Sequence, residues 1–173
     1  MSDAARQNPG HACPQCGAIY QQTEDSCAER FPALLALDHS RQEPWGSRHG
    51  SAFSAYTLQH PAGLSRETLK RCWTLLYRIW IAGDDPQYAA RALRRLDEGA
   101  EPRWSVPQLP ADAATPRRFP VTIADLGSFA AATFPAQLEA WCRATLESLG
   151  QPTLAAWCRS NLFHRTLEGM GLH

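Results

Sequence analysis

Three cysteines in the first 27 residues constrain this chain more than any other feature. Cys13 and Cys16 stand two residues apart in "HACPQCGAIY", with Pro14 between them and Gly17 after, and Cys27 follows at eleven residues. A Cys-x-x-Cys turn of this kind aims two sulfurs at one point while its backbone amides face them, and a third thiol within reach makes a metal ion the natural occupant. The rest of the chain must therefore carry Cys27 back to the knuckle. The rival reading is a redox pair, but such pairs open a helix in a strand-helix-strand unit, and this sequence has few strand signals and no such unit.

Elsewhere helical periodicity dominates. From Ser65, a good N-cap, the residues Leu69, Cys72, Trp73, Leu76, Tyr77 and Trp80 recur at three- and four-residue intervals as far as Gly83, which predicts an amphipathic helix. Asp85 and Pro86 open another, carried by Ala89, Ala92, Leu93 and Leu96 and closed near Gly99. Residues 100–121 hold five prolines and no sustained period, so they read as an irregular crossing segment pinned by Trp104. Thr122 with Asp125 caps a short helix. Pro135 then starts a helix bearing Leu138, Trp141, Cys142, Leu146 and Leu149, stopped by Gly150. Pro152 starts the last, with Leu154, Trp157, Cys158 and Leu162, and these two are expected to pair as an antiparallel hairpin. Their Trp-Cys pairs, like Cys72, read as core.

The third thiol sits in "SCAE", where Ser26 and Glu29 have capping-box spacing and put Cys27 in the first turn of a helix, at its positive dipole end. Pro32, six residues after that cap, predicts either a single turn followed by a second helix or a cap that is a coincidence. A helix through Leu34, Leu35 and Leu37 follows in both versions.

Three thiolates need one more ligand for tetrahedral zinc, and a histidine completes the common Cys3His set. His11, His39, His49 and His60 are the candidates. "HGSAFSAYTLQHP" reads as a helix ending before Pro61, with His49 and His60 within about 20° of one face but roughly 16 Å apart along the axis. One ion cannot take both. If the helix after Cys27 runs away from the metal and the next returns antiparallel, its C-terminal end comes back to the site, which favours His60; a connection around Pro44 and Gly46 that carries the chain back first presents His49 instead. Tyr56 is expected to pack and Gln59 to face solvent.

With 173 residues and 44% hydrophobic content, the chain can bury one sizeable core. The fold class expected is mainly α, a helical bundle (28–173) carrying an N-terminal zinc-knuckle-like arm (1–27). Lys plus Arg and Asp plus Glu balance at 17 each, so no global field draws nucleic acid, and Arg91, Arg94, Arg95, Arg117 and Arg118 read as solvated faces. No stretch approaches the run of about 18 apolar residues that spans a membrane, and "MSDAARQNPG" lacks the apolar run of a secretory signal. The expectation is a cytoplasmic protein whose six cysteines stay reduced, free for metal binding, catalysis or burial.

"CPQCGA", the following Cys27, the pattern H-x-x-x-x-S-A-Y-x-L-Q-H-P from His49 to Pro61, and the later "FPVTIADL" together resemble a family of bacterial proteins classed as a domain of unknown function. The resemblance covers most of the chain, and the Gln59-His60-Pro61 triplet after a tyrosine is its most specific element. It implies an N-terminal metal knuckle joined to a helical body, with Cys13, Cys16, Cys27, His49 and His60 at the matching positions. The family pattern commonly has an acidic residue where this chain has Ser54. No activity follows from the resemblance.

Two functional classes remain. In the first, Zn2+ staples the arm to the bundle and the composite surface binds a protein partner, because sulfur-rich four-ligand sites are closed and structural. In the second, three cysteines hold zinc with an open fourth position and His49 or His60 works as general acid or base. No nucleophile motif, phosphate-cradling glycine loop or His-Glu-x-x-His helix accompanies it. A weaker third is a thiol sensor that ejects zinc on oxidation.

Overall fold

The computed structural model describes residues 10–21, 25–40, 42–98 and 108–150. A two-residue hairpin, β1 (His11–Ala12) and β2 (Ile19–Tyr20), pairs antiparallel with His11 opposite Tyr20 and Ala12 opposite Ile19. Five α-helices follow among the described residues: α1 (Cys27–His39), α2 (His49–Gln59), α3 (Arg66–Trp80), α4 (Pro86–Asp97) and α5 (Phe134–Ser148). The fold is mainly α. Single turns of 3-10 helix precede α2, at Gly46–Arg48, and α5, at Ile123–Leu126.

Capping accounts for most of the helix starts. Ser26 accepts from the Glu29 amide and Ser65 from the Thr68 amide, while Asp85 accepts from the Tyr88 amide at 2.9 Å. Thr122 and Asp125 form a full capping box, so the pairing at that spacing is real although the helix it starts is a single 3-10 turn.

Pro32 departs from both sequence expectations. α1 runs unbroken through it from a genuine Ser26 cap. The bond that proline deletes would have ended on the Ala28 carbonyl one turn back. Ala28 and Pro32 are both exposed, so water can take that carbonyl and the helix has no reason to stop.

α2 is the central element, packed most extensively on α3 and also on α5 and α1. Its Ser51, Ala52, Ser54, Ala55, Thr57, Leu58 and Gln59 are all buried, and so many small side chains let the surrounding helices approach closely. Trp73 from α3 and Phe134, Leu138, Trp141 and Leu146 from α5 fill the core around it. α1 and α2 run antiparallel: Asp38 at the end of one meets His49 at the start of the other. Trp104, Pro152 and the final helix expected through Leu154, Trp157, Cys158 and Leu162 lie outside the described residues.

Candidate metal centre

The knuckle is built by a tight turn. Cys13 bonds the Ala18 carbonyl through its amide at 2.8 Å, and Gly17 donates to the Cys13 carbonyl at 2.9 Å. Gly17 has φ +78°, and a Cβ there would stand 2.7 Å from the Arg118 Cγ; the position needs a residue with no side chain. The sulfurs of Cys13 and Cys16 are thereby set on one side of the turn, and Cys27 arrives as the first residue of α1.

His60 closes the set from the far end of α2. As the residue that caps that helix, it bonds back through its amide to the Tyr56 and Thr57 carbonyls. Its Nδ1 lies 2.9 Å from the Tyr56 carbonyl, which places the ring proton on Nδ1 and turns the Nε2 lone pair toward the sulfurs, an orientation common to metal-bound imidazoles. Nε2 is 3.6 Å from the Cys13 Sγ, and the Cys16 and Cys27 sulfurs are 3.5 Å apart. The four ligand atoms all lie within 4.8 Å of one another. Around a tetrahedral ion with zinc–sulfur bonds of about 2.3 Å, neighbouring sulfurs stand about 3.8 Å apart. The observed spacings are therefore those of a site that can hold a metal ion, and the donor set of three thiols and an imidazole suits a thiophilic one.

Electrostatics agree with the geometry. The Cys27 thiol is held down at about 4, chiefly by its hydrogen bond with Cys16 and also by His60 and the Tyr20 hydroxyl, which prevail over burial. Cys16 moves the opposite way, raised by that same bond to Cys27 and by burial; a cation between two such close sulfurs favours the loss of both protons. Tyr20, whose hydroxyl is 3.1 Å from the Cys27 sulfur, is raised by burial and then by that contact. Burial and the nearby cysteines push Tyr56 up to about 12. Its ring is sandwiched between Phe31, at 3.7 Å, and His60, at 4.0 Å, so the tyrosine packs as expected and steadies the imidazole.

A family described as "Family of unknown function (DUF5946)" has a sequence model that matches residues 11–150. The chain belongs to this family. No curated protein and no solved structure matches it. The match to the DUF5946 family begins beside the knuckle and ends with α5, so it takes in all four clustered residues.

Of the five residues at the motif positions, the structure brings together Cys13, Cys16, Cys27 and His60, and sets His49 elsewhere. His49 begins α2 at the opposite end of the helix from His60, with its Nδ1 3.3 Å from the Asp38 carboxylate. His49 therefore stands outside the cluster, because α2 approaches the sulfurs with its C-terminal end. Gln59 also departs from expectation: its side chain is fully buried rather than solvent-facing. Its Nε2 donates to the Val121 carbonyl and the Thr145 hydroxyl, both at 2.9 Å, tying the residue beside His60 to the segment before α5 and to α5 itself.

The proline-rich segment carries a role that its composition did not announce. Arg117 and Phe119 donate their amides to the carbonyls of Gln15 and Cys16, each at 3.0 Å, so residues 117–119 form a strap across the knuckle. The Gln15 side chain in turn accepts from the Ala62 amide at 2.9 Å, joining the turn to the residues just past His60. Arg117 is no solvated arginine; it donates to the Ser148 and Asp112 carbonyls. Gly17 was the one sequence signal of this close approach. Cys72 and Cys142 are buried in the core, as expected of small apolar residues.

Proposed function

We propose that the chain is a zinc protein in which Cys13, Cys16, Cys27 and His60 bind one Zn2+ as a structural staple, bracing a helical body that works as a protein-interaction module in the cytoplasm. The observation that carries this is the convergence of four donors, from the knuckle, the start of α1 and the end of α2, within 4.8 Å. Zinc is favoured over harder cations because thiolates dominate the set, and a structural role over a catalytic one because three sulfurs and a nitrogen fill a tetrahedron and leave no place for a reactive water. Cys16, Cys27 and His60 are buried, which also keeps substrate from the ion. The exposed faces of the helices are then the working surface; Phe53 and Tyr88, large and exposed, offer it apolar contacts.

The test is metal content and stability of Cys16→Ser beside the parent. One zinc per chain in the parent, lost in the variant together with a drop in thermal midpoint, is the expected result. An unchanged metal content in the variant would overturn the assignment.

A further inference from the structure

Outside the thiolate centre, the fold sets two histidines side by side at the other end of the α1–α2 pair. The imidazoles of His39 and His49 have centroids 5.5 Å apart and planes inclined by 31°. Beneath them lies Asp38, whose side chain is wholly buried while that of His49 is 43% exposed. One carboxylate oxygen faces the His49 Nδ1 at 3.3 Å; the other, Oδ1, has no hydrogen-bond partner among the described residues.

Three features point to a cation. First, a buried carboxylate with an unpartnered oxygen is costly unless positive charge comes close, and the Asp38 side chain is wholly buried. Second, a carboxylate on Nδ1 fixes the imidazole tautomer and leaves Nε2 as a basic lone pair, the arrangement that supports metal-bound histidines. Third, with zinc–nitrogen bonds of about 2.0–2.1 Å, two imidazoles on one tetrahedral ion place their centroids about 5–5.5 Å apart, and the observed separation matches. His39 is exposed, so an ion can enter from solvent.

We infer that His39 and His49, with Asp38 behind His49, form a second binding site for a borderline divalent transition cation, Zn2+ or Cu2+, distinct from the thiolate cluster. Imidazole nitrogen is the donor such ions prefer after thiolate, and two protein ligands make the site weaker and more exchangeable than a Cys3His centre. The inference does not depend on the identity of the metal at that centre.

The experiment uses the full chain, dialysed until only tightly held metal remains, and then equilibrated with added Zn2+. One further zinc per chain is expected in the parent. His39→Ala, at an exposed position that leaves the fold intact, abolishes that uptake, as does His49→Ala. Asp38→Asn weakens it by roughly 10- to 100-fold. With Cu2+ as the probe, electron paramagnetic resonance shows two imidazole nitrogens in the parent and one in His39→Ala. No uptake beyond the tight metal, or uptake that persists in His39→Ala, would overturn the site.

Discussion

His49 and His60 end the same helix, yet only His60 faces the sulfurs. The difference is set by chain direction, since α1 leaves the knuckle at Cys27 and α2 returns with its C-terminal end. In protein dialysed free of loosely held metal, His60→Ala is therefore expected to lose most of its zinc, whereas His49→Ala keeps it. Metal analysis of the two variants checks this, and equal retention would contradict it. Asp38 gives a pH signature of its own. A carboxyl raised by burial binds its proton more tightly folded than unfolded, so its contribution to stability is complete below its ordinary value and is lost as pH rises through the folded one. Denaturation of the parent and of Asp38→Asn, compared at each pH in protein holding only tight metal, should show the parent losing ground as pH rises above the ordinary carboxyl value of about 4. A difference that stays level or moves the other way contradicts the burial argument.

At the scale of elements, α3, α4 and α5 were legible because a one-sided apolar stripe and a cap are local properties of sequence. α2 was legible only as a helix. Nothing local distinguishes a helix covered on one face from one enclosed by three others, so the burial of Gln59 against α5 and Val121 is not legible in its own segment. The three sulfurs were legible from spacing. Their histidine was narrowed to two candidates, and the choice waited on the packing of α1 against α2. Pro32 misled for a related reason: a proline's effect depends on whether the carbonyl it strands is exposed, and exposure is tertiary. Since α1 bears that missing bond without a break, Pro32→Ala is expected to raise stability by about 2 kcal/mol, the regained helix bond outweighing the looser unfolded chain. Urea denaturation measures it, and a loss of stability would show that the ring packs in a way the exposed position does not suggest.

For the whole molecule, the knuckle is held by more than its ligands. The strap of residues 117–119 bonds it from above, Gln15 links it to the chain after His60, and Arg117 ties the strap to the end of α5. A metal ion at the four donors would fasten the same parts a second time, joining residues 47 positions apart in the chain, which is the arrangement in which a cross-link removes most freedom from the unfolded chain. None of the described helices is long and apolar enough to cross a membrane.

X-ray absorption at the zinc edge of the full chain, dialysed until only tightly held metal remains, tests the central claim most directly. Three sulfurs at about 2.3 Å and one nitrogen at about 2.0–2.1 Å, unmoved by added azide or cyanide, are the predicted result. Two sulfurs or fewer, or a light-atom ligand that exchanges with azide, would contradict a closed staple.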